Sequence, residues 1–173
     1  MNLKRFAIGL FFVASAFSND LGCSSSSHQG TIEILISDHR DAIGDFSSFE
    51  VELSSIDLHR SGEPVETGWL ELQPLRPLID LTEVIGEDSV LVIRQTIPAG
   101  SYDAIRINAS DVHGTLLGGE EVALGSFSEA ARQEVALPDG QTATLLVDLK
   151  VQSRDDHPGQ GYMLVLGNVT RIP

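Results

Sequence analysis

The sequence predicts an all-β domain: an antiparallel β-sandwich of the prealbumin- or immunoglobulin-like kind, with few or no helices in the mature domain. Apolar residues recur at every second position in several segments. Gly, Pro, Asp and Ser separate those segments at short intervals, as they do between the strands of a sheet. Two packed antiparallel sheets bury such one-sided strands best, so a sandwich is favoured over a closed barrel.

Period-two alternation indicates the first two strands. Isoleucines occupy every second position of 31–36, and residues 49–53 alternate in the same way between apolar and polar side chains. After Ser55 the apolar positions change parity to Ile56 and Leu58, which one extra residue in the strand would explain. The sequence therefore predicts two half-buried strands and a β-bulge near Ser55.

Turn residues separate the later strands. Residues 90–94 and 105–109 have strand patterns, Gly118-Gly119 is typical of a hairpin, and Pro138-Asp139-Gly140 is a strong turn before the regular alternation of 142–151. The last strand is predicted at 162–172. It is apolar on both faces through Leu166, which favours a central place in its sheet.

Helix signals are few. Ser126 and Glu129 have the spacing of a capping box, which predicts a short helical turn through Arg132. Residues 82–85 predict another short turn. Neither segment has the length of a stable helix, so the prediction of an all-β domain is unaffected.

The first 22 residues have the pattern of a lipoprotein signal peptide. A basic start precedes an apolar run, residues 6–17, that is too short to span a bilayer permanently. Leu21-Gly22-Cys23 resembles the site where such precursors are cut and lipidated on the cysteine. Acyl chains on Cys23 would hold the protein at a membrane, because each buried methylene contributes about 0.8 kcal/mol. The alternative is cleavage after Ala16, which would leave a soluble protein with a free thiol.

This interpretation divides the chain into three parts. Residues 1–22 are the predicted signal peptide, residues 23–30 a Ser-rich tether, and residues 31–173 a single β-sandwich domain. With one cysteine in the sequence, no disulfide can form within the chain. The expected location is the bacterial cell envelope, reached by export and kept through the lipid on Cys23.

Composition narrows the class of partner. With 11 basic and 25 acidic residues the formal net charge is −14, and such a surface repels nucleic acid and anionic lipid headgroups. The expected partners are the membrane, through the lipid, and an unidentified envelope protein or glycan. Trp69, the only tryptophan, is expected to pack in the core or at a sheet edge rather than to form a sugar-binding platform.

The sequence contains no recognisable catalytic arrangement. Gly-x-Ser-x-Gly and His-x-x-x-His are both absent, and Gly118-Gly119 lacks the lysine and helix of a phosphate-binding loop. We therefore predict a protein that is not an enzyme and needs no cofactor, with a binding or structural role at the envelope. An envelope hydrolase is a less favoured alternative.

Two acidic loops, residues 38–45 and 155–157, are alternative metal-binding candidates. Arg40 and Arg154 offer local counter-charges, and the spacing matches no known calcium loop, so solvated loops are favoured. If the two loops converged, Ca²⁺ would relieve their repulsion, and the protein would be a calcium-stabilised carbohydrate- or protein-binding module. The candidate ligands are Asp38, Asp41, Asp45, Asp155 and Asp156.

A structural turn is predicted before the strand at 105–109. Pro98 presets its own φ and Gly100 accepts positive φ, so the chain reverses just before Tyr102. Tyr102 shares parity with Ala104 and Arg106. We therefore expect it at a sheet edge, on their face, with its hydroxyl bonded to backbone.

Short segments along most of the mature chain carry a family resemblance, mainly 30–34, 49–59, 69–72, 79–81, 97–107 and 144–149. Together they resemble the DUF4382 family of exported bacterial and archaeal domains. The resemblance implies an all-β domain of the kind found on lipoproteins and surface proteins, and it brings no activity and no catalytic residues.

Overall fold

The computed structural model describes residues 28–39, 41–154 and 161–173, which form a β-sandwich of two sheets. The predicted signal peptide, Cys23 and most of the tether lie outside the described residues. Short 3₁₀ turns occupy Ala42–Asp45 and Leu81–Glu83. The strands are β1 (Gln29–Asp38), β2 (Phe46–Arg60), β3 (Trp69–Leu72), β4 (Leu78–Asp80), β5 (Val90–Pro98), β6 (Gly100–Leu116), β7 (Glu121–Ala123), β8 (Phe127–Leu137), β9 (Thr142–Ser153) and β10 (Tyr162–Ile172).

One sheet has four strands in the order β10-β9-β1-β5, and the other is built around the long antiparallel pair β2 and β6. The short strands β3 and β4 pair with β2, and β7 and β8 pair with β6. All pairs are antiparallel except β1 with β9, where Thr31 lies opposite Thr142 in a parallel ladder. The predicted antiparallel sandwich is therefore confirmed in class, with one parallel pair inside it.

The alternate apolar side chains of the strands form the core between the two sheets. The isoleucines of β1 and the apolar face of β9 are all buried, as the period-two pattern predicts. The bulge expected near Ser55 is confirmed, because the register of β2 on β6 shifts between Leu53 and Ser55. The turns at Gly118-Gly119 and 138–140 also lie where expected, with Gly119 and Gly140 at positive φ.

The helical turn predicted from Ser126 and Glu129 is wrong, because Ser126 immediately precedes β8 and Glu129 lies within it. A capping-box spacing favours a helix only locally, and here the ladder with β6 supplies the backbone partners instead. The turn predicted at 82–85 is a 3₁₀ turn one residue earlier, where the Asp80 carboxylate accepts from the Thr82 backbone N–H at 2.9 Å.

The central place predicted for the last strand is wrong: β10 is an edge strand. β10 pairs with β9 on one side and packs beside β8 of the other sheet. Its core-facing Leu164, Leu166 and Val169 are buried, whereas Met163 and Val165 on its other face are only half-buried. The Glu129 carboxylate of β8 accepts a hydrogen bond from the Leu166 backbone N–H at 2.8 Å. Among the described residues, no helix combines the length and apolar character needed to cross a bilayer.

Candidate functional site

Three polar residues of β2 are buried on the side of the six-stranded sheet that faces away from the core. Ile56 and Leu58 point into the core, so Ser55, Asp57 and His59 point outward, yet they are only 8%, 4% and 4% exposed. The bulge before Ser55 creates this arrangement, because it moves the polar positions of β2 onto the outer face. Outer faces of antiparallel sheets are usually solvated, so burial here needs a cover and partners.

Asp57 is the centre of a fully paired polar network. Its Oδ2 accepts from Arg106 Nη2 at 2.6 Å, from Arg106 Nε at 3.0 Å and from Asn108 Nδ2 at 3.0 Å. Its Oδ1 accepts from the Ser55 hydroxyl at 2.8 Å, and the Ser128 hydroxyl donates to Asn108 Oδ1 at 2.7 Å. Strand register produces this network, because Asp57 lies opposite Arg106 and Ser55 opposite Asn108. Charge-assisted hydrogen bonds thus compensate for the burial of the carboxylate.

Trp69 covers the network from the edge strand β3. The Arg106 guanidinium carbon lies 4.2 Å from the centre of the indole ring, in a cation–π contact. The indole N–H donates to the Val65 carbonyl at 2.6 Å, which ties the loop before β3 to the same cover. These contacts give the indole a packing role over the Asp57–Arg106 ion pair.

His59 lies beside Trp69 and joins the sheet to the loop formed by residues 61–68. Its Nδ1 is 2.6 Å from Asp103 Oδ1, its Nε2 is 3.3 Å from the Pro64 carbonyl oxygen, and its side chain is 6% exposed. The hydrogen bond with Asp103 raises the pKa of His59, while burial opposes the rise. Gly68 permits the close approach, because a Cβ there would lie 2.6 Å from Nε2.

A groove of about 760 Å³ opens on this outer face. Ala104 and Ala130 lie on neighbouring strands at its floor. His59, Trp69 and the exposed Val65 form one side. The other side comes from residues 132–134 of β8, where Arg132 lies opposite Ala104. The groove therefore combines a small-residue floor, an aromatic and aliphatic wall, and charged groups of both signs at its rim, as binding clefts commonly do.

The predicted acidic loop does not assemble a metal site among the described residues. Asp45 accepts from the Tyr162 hydroxyl at 3.0 Å, and Asp41 is exposed. Asp155 and Asp156 lie outside the described residues, as does Arg40. Within the part of the chain that the structure describes, no group of three His, Cys, Asp or Glu side chains could hold a metal ion.

Asp38, the first residue of that candidate set, is buried instead. It is 1% exposed, and neither carboxylate oxygen has a hydrogen-bond partner among the described residues. Burial first and repulsion from Asp148 second raise the pKa of Asp38 to about 7, a net value against which the Val151 backbone and Lys150 act. Asp38 is therefore a buried titratable group at the end of β1 and lies in no metal site among the described residues.

The turn at Pro98 and Gly100 has the predicted structural geometry. Gly100 adopts a φ of 149°, and the Tyr102 hydroxyl donates to the Pro98 carbonyl at 2.7 Å. The expected edge position of Tyr102 is wrong, because β6 lies between β2 and β8 and Tyr102 is 2% exposed. A register shift between Tyr102 and Ala104 turns the ring onto the core face, and burial raises its pKa.

Sequence reasoning missed the Asp57–Arg106 network. The available signal was parity: the bulge near Ser55 places 55, 57 and 59 on one face. On the same face of the sheet, their neighbours on β6 are the alternate residues 104, 106 and 108. Recognising the pair required the register of two strands that are about fifty residues apart, and no local pattern gives that register.

One of three comparisons with known proteins gives a match to the chain. No curated protein and no solved structure gives a significant match to the chain. A family model described as "Domain of unknown function (DUF4382)" matches residues 29–166, from the start of β1 into β10, and so includes every strand that builds the groove. With most of its length matched, and with the all-β sandwich that the resemblance implied, the chain belongs to the DUF4382 family.

Proposed function

We propose that this chain is a lipid-anchored extracytoplasmic protein with a binding role at the cell envelope, and that it binds through the groove on the outer face of the six-stranded sheet. The observation that carries the binding role is the buried polar network beside that groove, whose Arg106 packs against Trp69 of the groove wall. A sandwich needs no such network on a face that water could cover.

The energetics support a role beyond stability. A buried ion pair loses hydration on both partners, so replacing it with apolar side chains is often neutral or stabilising. The Asp57–Arg106 pair instead positions the surface. Asp57 holds the Arg106 guanidinium under the Trp69 ring, and this contact holds the indole over the sheet. A surface held in one conformation before binding loses less conformational entropy on association.

The same network supports a role that is not enzymatic. Asp57 accepts from four donors of its neighbours, and His59 faces Asp103 and the Pro64 carbonyl. Groups that are engaged in this way position the surface and are poorly placed to exchange protons with a substrate.

The anchor is proposed from the sequence around Cys23. A basic start, a short apolar run and Leu21-Gly22-Cys23 have the order of a lipoprotein precursor. The net charge of −14 favours an envelope protein or glycan as partner over nucleic acid. Labelling cells with a fatty acid tests the anchor: the wild type should carry label in the membrane fraction, and Cys23→Ala should be unlabelled and soluble. Unlabelled, soluble wild-type protein would contradict it.

Binding is tested with the exported Cys23→Ala chain, which separates groove binding from lipid attachment. Purified protein is sedimented with isolated cell-wall glycan and, separately, with envelope membranes. Ala130→Trp fills the floor of the groove and should abolish co-sedimentation. Thr142→Trp is the matched control, since Thr142 is exposed on the outer face of the other sheet. Equal binding by both variants would refute the groove as the binding surface.

A further inference from the structure

The imidazole of His59 has a hydrogen-bond acceptor at each of its two nitrogens. Asp103 Oδ1 lies 2.6 Å from Nδ1, and the Pro64 carbonyl oxygen lies 3.3 Å from Nε2. A neutral imidazole carries one N–H and can donate to only one of these acceptors. The imidazolium donates to both, so this geometry fits the protonated ring and leaves the neutral ring with a lone pair against an acceptor.

The Pro64 contact organises the whole loop of residues 61–68. The same carbonyl oxygen accepts from the Thr67 N–H at 3.0 Å and from the Gly68 N–H at 2.8 Å. The Gly68 carbonyl in turn accepts from the Arg60 N–H at 2.8 Å. A proton on His59 therefore connects the centre of this loop to the Asp103 carboxylate on β6.

The loop forms one wall of the groove. Glu63 and Val65 line the opening, and the Val65 carbonyl accepts from the Trp69 indole N–H at 2.6 Å. His59 and Trp69 are also in edge-to-face contact, with their ring centres 5.1 Å apart. A change in the charge of His59 would act on the loop and on Trp69 at once.

The charged groups around the ring mostly favour the imidazolium. Asp103 on β6 and Glu63 in the loop both raise the pKa of His59, and burial of the ring opposes them. Arg106 contacts the indole neighbour from β6. Arg132 on β8 lies across Ala104, the residue of β6 that pairs with His59.

We propose that His59 is a proton-operated latch that holds the loop of residues 61–68 against the sheet and so sets the shape of the groove. The protonated ring closes the latch and the neutral ring releases it. The latch is fully present below the ordinary imidazole pKa of about 6.5 and is lost as the pH rises through the higher value of the folded protein. An effect of this protonation on ligand binding rests on the proposed function of the groove.

Trp69 reports on the latch directly, because it is the only tryptophan in the chain and contacts the titrating ring. In the Cys23→Ala chain, Trp69 fluorescence should titrate with a midpoint above about 6.5. His59→Gln should abolish this transition and Asp103→Asn should lower its midpoint. His113→Gln, which removes a partly exposed histidine of the same sheet, should leave it unchanged.

Amide hydrogen exchange measures the loop itself. Correcting for the intrinsic pH dependence of exchange, the Thr67 and Gly68 amides should lose protection above the fluorescence midpoint, and Asp103→Asn should move both transitions together. The latch is wrong if fluorescence does not titrate, titrates equally in His59→Gln, or titrates while loop protection stays constant. Circular dichroism checks that each variant is folded. No ligand takes part, so failure of the groove in co-sedimentation and failure of the latch are separate results.

Discussion

Asp38 should make the domain less stable as the pH rises from acid to neutral. Its carboxyl group is buried at the end of β1 without a hydrogen-bond partner among the described residues, and its pKa is raised to about 7 from 3.8, first by burial and then by Asp148. The folded protein therefore keeps this proton where the unfolded chain has lost it. The contribution of Asp38 to the free energy of unfolding is fully present below pH 3.8 and is lost progressively as the pH rises to about 7.

The size of the effect follows from the pKa difference. Each unit corresponds to about 1.4 kcal/mol, so three units give an upper limit of roughly 4 kcal/mol. The value of about 7 already includes the opposing effects of the Val151 backbone and Lys150, and local relaxation with water penetration on ionisation lowers the cost further. We therefore expect about 2 kcal/mol between roughly pH 4 and roughly pH 8.

Urea unfolding of the Cys23→Ala chain and of the same chain carrying Asp38→Asn measures this. The wild-type side chain should give a falling free energy of unfolding as the pH rises, and Asp38→Asn should flatten the curve by about 2 kcal/mol. Comparing slopes removes the contribution of His59, whose raised pKa acts in the same direction. Glu52→Gln, at an exposed position of β2, is the control and should keep the original slope. Parallel curves for the wild type and Asp38→Asn would refute the assignment.

Three further expectations concern the core, the network and calcium. Leu149→Asp should cost several kcal/mol because it buries an unpaired carboxylate, whereas Thr144→Asp on the other face of β9 should cost far less; equal melting temperatures would contradict the assigned faces. Arg106→Met should cost about 2–4 kcal/mol by leaving Asp57 without its guanidinium, and adding Asp57→Leu should restore most of the loss in urea unfolding; no recovery would contradict the coupling. Millimolar calcium should leave the melting temperature unchanged relative to chelator, and a rise that Asp41→Asn removes would revive the calcium-stabilised module.

Local patterns predicted the parts of the fold that local physics controls. Alternation in 31–36 and 142–151 gave buried faces correctly, because a strand with one apolar face has a single favourable orientation. The turn at Pro138-Asp139-Gly140 was recognisable from residues that tolerate its dihedral angles. The bulge near Ser55 was visible because apolar parity changed on either side of it.

Features that depend on distant pairing were not predictable. The parity change from Tyr102 to Ile105 that marks the register shift is masked in the sequence by Ala104, which continues the parity of Tyr102, so parity assigns Tyr102 to the wrong face. Ser126 and Glu129 fit a helix start and a strand equally well, and only pairing with β6 decides between them. The Asp57–Arg106 pair was not predictable for the same reason. Each residue alone resembles an ordinary exposed charge, and only the register of β2 on β6 brings the two together.

Hydrogen exchange of the Cys23→Ala chain, with and without the envelope fraction that it binds, tests the central claim most directly. The groove account predicts added protection in the loop of residues 61–68, at Trp69, and in the outer-facing part of β8 around Ala130 and Arg132. It predicts no added protection in the edge strands β5 and β10, which lie on the other sheet. Protection confined to β5 or β10, with the groove segments unchanged, would contradict the account.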